Sequence, residues 1–172
     1  TRYYADFAMI PCFEPTTQQE AYEMMFDAFE VSEKNHVPVI MRMVTRLSHS
    51  RAVVHPYSED KFVKQNELSK GNRTEWMLLP ALARKNYNRM LEKQADFINW
   101  SENSKWTTLS LNENRKDLAI VTSGLGKNYL KENLAEYKEF CGDKGLPSIL
   151  HIGHLPLPKN ALNQLAEIAD TI

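Results

Sequence analysis

The apolar positions of this chain alternate between a helical rhythm and a strand rhythm, and the clearest example follows Pro15. Thr17 with Glu20 has the spacing of a capping box, in which each side chain serves a backbone N–H left free at a helix start. Ala21, Met24, Met25, Ala28 and Phe29 then recur at i, i+3 and i+4 steps and predict one buried helical face, with the methionines as pliable core filler. Asn35-His36 marks the helix end. Val39-Ile40-Met41-Arg42-Met43-Val44 follows as a nearly continuous apolar run, the pattern of a strand covered on both faces of a parallel sheet. Helix, tight turn and strand make half of a βαβ unit.

Residues 55–76 are polar, carry Pro56 and Gly71, and predict a connector. Tyr87, Met90, Leu91, Gln94, Phe97 and Ile98 outline a second helical face over about residues 86–102, after which the composition turns polar to Asp117. A buried strand is expected at Leu118–Thr122, then a turn at Ser123-Gly124 and a helix to about Tyr137. "TSGLGKNYL" lacks the third glycine of a dinucleotide loop and the Lys-Ser/Thr ending of a P-loop, so a tight strand-to-helix turn is the reading. "CGDKGLP" turns the chain into the strand "SILHIG". A last helix is predicted from near Pro158, with Leu162, Leu165, Ala166, Ala169 and Ile172 inward. Strands alternating with helices put the chain in the α/β class.

Charge narrows the partners. Lys plus Arg (21) nearly cancels Asp plus Glu (22), for a net charge of -1, so no overall field favours nucleic acid or an anionic membrane. No apolar stretch reaches the roughly 18 to 20 residues that span a bilayer. Cys12 and Cys141 stand far apart, without metal-ligand spacing, which argues against a disulfide scaffold and suggests a reduced, cytoplasmic setting. "HIGH", residues 151–154, matches by letters the phosphate-binding tetrapeptide of class I aminoacyl-tRNA synthetases. Pro156 and Pro158 nevertheless impose an extended turn where that motif needs a helix start, so His151 and His154 are read as structural. The best-placed polar group is "TRLSHSR", residues 45–51, because ligands of open α/β sheets bind beyond the carboxyl ends of strands. A solvated turn is the alternative for it.

Two runs carry a family resemblance: Y-A-D-F-A-x-I-P-x-x-E-P from Tyr4 to Pro15, and R-x-x-T-R-x-S-H-S on Arg42, Thr45, Arg46, Ser48, His49 and Ser50. With "QQEAYEMMFDAFEVSEK", "LPALAR" and "SILHIGHLPLPKNALNQLAE" they resemble the alpha subunits of indolepyruvate ferredoxin oxidoreductases, of the thiamine-diphosphate-dependent 2-oxoacid:ferredoxin oxidoreductases. The resemblance implies an α/β chain that is an internal segment of a longer subunit. Residues 1–54 would end a thiamine pyrimidine-binding domain, 55–115 would connect, and 116–172 would form part of a transketolase C-terminal-like domain. It implies oxidative decarboxylation of arylpyruvates to acyl-coenzyme A with electrons passed to ferredoxin, a beta subunit as partner, and an oligomer. Thiamine diphosphate, Mg²⁺ and [4Fe-4S] clusters are implied for the parent subunit, none held wholly by this segment. No catalytic residue or metal ligand is expected here, and the segment alone should be inactive. Arg46, Ser48, His49, Ser50 and Arg51 are the candidate residues, either binding a substrate carboxylate or coenzyme A phosphate or fastening a domain interface. The rivals are a stand-alone α/β interaction module and a pyruvate or 2-oxoglutarate oxidoreductase subunit.

Overall fold

The computed structural model describes residues 2–58, 74, 77–137 and 145–172. In chain order the elements are α1 (Arg2–Ala8), β1 (Cys12–Phe13), α2 (Gln18–Asn35), β2 (Ile40–Met41), α3 (Thr45–His49), α4 (Pro80–Glu92), α5 (Gln94–Glu102), β3 (Thr107–Ser110), β4 (Ala119–Ser123), α6 (Gly126–Tyr137), β5 (Ser148–Ile152), β6 (His154–Leu155) and α7 (Lys159–Ile168). They build two small mixed sheets, ordered β2-β1-β6 and β3-β5-β4. β1 runs parallel to β2 and antiparallel to β6, while β5 runs parallel to β4 and antiparallel to β3. The α/β class expected from the alternation is present, and β1, α2 and β2 complete the expected βαβ unit.

Gly153 joins the two sheets. It separates β5 from β6, donates its N–H to Trp106 O at 3.1 Å and accepts from Glu14 N at 2.8 Å. A Cβ at this position would lie 2.8 Å from Trp106 O, so only glycine lets the neighbouring backbone approach. Two apolar clusters flank this seam. Phe13, Met24, Ala28 and Val31 form one, with Trp100 and Trp106 packed against it. Ala119, Leu150, Ile152 and Leu165 form the other, beside Leu109, Ala161 and Leu162.

Several local expectations hold. Thr17 caps α2 by accepting from Glu20 N at 3.1 Å, and the Glu20 carboxylate reaches back one residue further than in the simple box, to Thr16 N at 2.7 Å. His36 ends α2 in the left-handed region, with φ 51°. Gly124 makes the turn after β4 with φ 50°.

Other expectations are corrected. Of the α2 face, Met24 and Ala28 are buried with Val31, but Met25 is 43% and Phe29 65% exposed. Each stands one residue, about 100° of helix, past the stripe that meets the sheet. The apolar run 39–44 pairs as a strand only at Ile40 and Met41, both half-buried, because β2 is a sheet edge and Val44 already caps α3. The helix expected over 86–102 is two helices meeting at Lys93, with Phe97 buried and Tyr87 and Leu91 exposed. β3 lies in the stretch read as polar connector, its Thr-Thr-Leu-Ser alternation presenting Thr107 and Leu109 inward. In α7 Leu165 is fully buried with Leu162 beside it, whereas Ala166 is exposed; the helix ends at Ile168, leaving Ala169 to pack as its C-cap and Ile172 exposed beyond it. Cys141, the first half of the "CGDKGLP" turn and most of the 55–76 connector lie outside the described residues.

Candidate functional site

The strongest polar centre sits just beyond β1, on Glu14. The hydrogen bond from Glu14 N to Gly153 O, next to the β1–β6 pairing, fixes the Glu14 backbone, and Pro15 restricts the backbone that follows. Only 2% of Glu14 is exposed. A carboxylate so buried must be paired and hydrogen-bonded. Arg2 answers it with a fork, Nε to Oε1 and Nη2 to Oε2, both at 2.6 Å. The hydrogen bond to Glu14 raises the Arg2 guanidinium above its ordinary pKa, against the effect of its own burial. Arg42, whose N–H donates to Phe13 O at 2.8 Å, lies beside Glu14 across the parallel pair and brings Nη1 to Oε2 at 3.4 Å.

The centre reaches the second sheet. Arg2 Nη2 also donates to Ser123 Oγ at 2.7 Å, and the Glu14 carboxylate oxygen would be 3.4 Å from a Cβ on Gly124. The turn in "TSGLGKNYL" therefore faces an internal anion, consistent with a tight turn rather than a phosphate loop. Below it Asn128 Nδ2 donates to Thr16 O at 2.9 Å and Lys127 Nζ meets Glu20 Oε1 at 3.3 Å. Burial works to raise the Glu20 pKa, but the Thr16 hydrogen bonds and Lys127 outweigh it and hold the carboxyl below its usual range. The starts of α2 and α6 are thereby tied together.

Within the segment 45–51, Thr45–His49 form a one-turn helix beyond the carboxyl end of β2, and Ser50 and Arg51 follow it outside the helix, Ser50 with extended backbone. Leu47 is buried and anchors it. Ser48 Oγ donates to Val44 O at 3.2 Å and Ser50 Oγ to Leu47 O at 3.0 Å, while Gln18 Nε2 donates to Ser50 Oγ at 2.5 Å. Arg46 Nη1 donates to Tyr129 Oη at 2.5 Å, with its guanidinium carbon 5.5 Å from that ring's centroid. His49 and Arg51 are exposed. The structure thus brings Arg46 to α6 and Ser50 to α2, and leaves His49 and Arg51 outside both contacts.

Sequence reasoning did not single out Arg2, Glu14 or Arg42 as site residues. A signal for the last two exists: Glu14 is a charge wedged between the apolar Cys12-Phe13 and Pro15, and Arg42 interrupts an apolar run. Arg2 is 121 residues from Ser123, and no local pattern links them.

His151 and His154 lie inside the fold. His151 Nδ1 is 3.2 Å from Thr122 Oγ1, and His154 Nε2 is 3.2 Å from Thr107 Oγ1. The His154 ring packs 4.5 Å from Trp100 and 6.3 Å from Phe13, centroid to centroid, and its buried Nδ1 has no hydrogen-bond partner among the described residues. Burial lowers both pKa values to about 4, with Lys127 adding to the effect at His151 and His151 adding to it at His154. They are structural groups, though His154 is only half satisfied.

Among the described residues no three His, Cys, Asp or Glu side chains are grouped to hold a metal ion, and no helix is long and apolar enough to cross a membrane. Cys12 is buried, and burial pushes its thiol up to about 11, away from the thiolate form that binds metals.

No protein-family model and no solved structure matches the chain. Three curated relatives are each named indolepyruvate oxidoreductase subunit IorA. The subunit of Thermococcus kodakarensis is 36% identical over 139 residues, 78% of this chain; that of Pyrococcus abyssi is 35% identical over 139 residues. That of Methanothermobacter marburgensis is 32% identical over 133 residues, 77% of this chain. In each case the match covers 21% of the relative's length. The resemblance carried by the Tyr4–Pro15 and Arg42–Ser50 runs is borne out: this chain is a homologue of the IorA subunits and spans about a fifth of their length.

Proposed function

We propose that the chain works as part of an oxidoreductase subunit that oxidatively decarboxylates arylpyruvates, indolepyruvate among them, to acyl-coenzyme A and passes the electrons to ferredoxin. The similarity to IorA over three quarters of the chain is the observation that supports it. Under this reading residues 1–54 end a pyrimidine-binding domain, 116–172 belong to a transketolase C-terminal-like domain, and a beta subunit completes the assembly.

The described residues do not fit the implied cofactors by themselves. Glu14, the one fully buried carboxylate among them, is already forked to Arg2 and is not free to activate an aminopyrimidine ring. Cys12 is a single buried thiol and offers no cluster ligand set. Under this reading thiamine diphosphate, Mg²⁺ and [4Fe-4S] clusters belong to other parts of the longer subunit, and this chain alone is inactive.

What this chain contributes is the segment of Arg46, Ser48, His49, Ser50 and Arg51 at the carboxyl end of β2, where guanidinium and imidazole donors receive the carboxylate of the 2-oxoacid or a phosphate of coenzyme A. The Arg46–Tyr129 contact favours a second reading, in which Arg46 fastens α3 to α6. Steady-state kinetics of Arg46→Ala and Tyr129→Phe in the full subunit with its partner separate the two. A ligand role predicts that only Arg46→Ala raises the KM for indolepyruvate, by about ten- to a hundredfold for a charge-assisted contact. Unchanged kinetics with a lowered melting temperature in both variants would leave Arg46 as a fastener.

A further inference from the structure

The Arg2–Glu14–Arg42 centre sets two guanidiniums against one carboxylate. Glu14 gives both oxygens to Arg2 at 2.6 Å, and Arg42 reaches it only at 3.4 Å. The buried Nε of Arg42 has no partner among the described residues. The nearby Glu20–Lys127 pair is balanced and does not cancel the surplus. One positive charge therefore remains at the ends of β1 and β2, and three residues after Arg42 the chain enters α3.

The geometry points to Glu14 as a positioning residue, whose carboxylate sets the Arg42 guanidinium at the strand ends where the substrate anion is received. This rests on the role proposed above for residues 45–51. The main chain fixes where Arg42 starts, through its N–H to Phe13 O, but a long side chain with 26% exposure needs a second anchor to hold one rotamer. Glu14 is that anchor. It is itself held by the Arg2 fork and by its N–H to Gly153 O, so it acts as a fixed negative point rather than a mobile partner. A ligand anion would meet the side of Arg42 that Glu14 leaves unneutralised.

The test is indolepyruvate-dependent viologen reduction by the full subunit with its partner, in the variants Glu14→Gln, Arg42→Gln, the double variant and Arg46→Ala, with melting temperatures measured on the same preparations. Glu14→Gln keeps the shape and removes the charge. Its KM should rise about tenfold, the scale of one charge-assisted hydrogen bond. Arg42→Gln should do the same, and the double variant should be no worse than either, since both act through one group. A Glu14→Gln variant that melts earlier yet keeps its KM, beside an Arg46→Ala variant that loses substrate affinity, would overturn the positioning role and leave the function of residues 45–51 standing. Unchanged KM in all variants would remove that function and this role with it. Should Glu14→Gln fail to fold, Arg42→Gln decides alone, and an unchanged KM there overturns the inference.

Discussion

Acid should destabilise this chain through two histidines well before its carboxylates protonate. In the unfolded chain His151 and His154 titrate near 6.5; in the fold both are lowered to about 4, because burial penalises the imidazolium. Between those values the unfolded chain binds protons that the native state refuses. Their stabilising contribution is therefore complete above pH 6.5 and is lost as the pH falls toward 4. The gap between 6.5 and about 4 corresponds to about 3 kcal/mol per histidine. Mutual repulsion of the two imidazoliums couples their titrations. Against a total stability of about 5–15 kcal/mol, that is a large fraction. Glu20 acts in a different window, since its lowered pKa makes its contribution fade only as the pH falls below the ordinary carboxylate range. Urea-unfolding midpoints of the 172-residue chain between about pH 7.5 and about pH 4.5 test this, beside His151→Gln and His154→Gln, which cannot titrate there. The wild type should lose stability steadily across the window, and each variant should show a shallower dependence. A flat wild-type midpoint, or an undiminished slope in the double variant, would refute the assignment.

Three other substitutions probe the packing. Gly153→Ala places a methyl 2.8 Å from the Trp106 carbonyl oxygen, a backbone atom that cannot swing aside, and should destabilise by about 1–3 kcal/mol; an unchanged denaturation midpoint would show that β3 yields freely. Leu165→Ala empties a fully buried site under β5 and should cost about 2–5 kcal/mol in the same assay. Thr17→Ala removes the α2 cap and should cost about 1 kcal/mol, since the Glu20 contact to Thr16 N remains; a loss of helical circular dichroism beyond α2 would contradict so local an effect.

What the sequence determined by itself is local. The capping pair Thr17 and Glu20, the helix end at Asn35-His36, the Ser123-Gly124 turn and the β4 and β5 strands were all legible, because each depends on residues a few positions apart. Family kinship was legible too, from the runs around Glu14 and Arg46. The helix faces were only half legible: periodicity names a stripe, but how wide a stripe is covered depends on what lies opposite, so Met25, Phe29 and Ala166 stayed in solvent. β3 escaped because four residues with two threonines look like connector until β5 pairs with them. Tertiary structure alone decided the site. Arg2, Glu14, Arg42 and Ser123 come from four separate stretches of the chain, and the Glu14 carboxylate can recruit the others only after the sheets close around Gly153. Likewise the "HIGH" histidines owe their lowered pKa values to burial, with the charge of Lys127 adding to it at His151, a desolvation that no four letters encode.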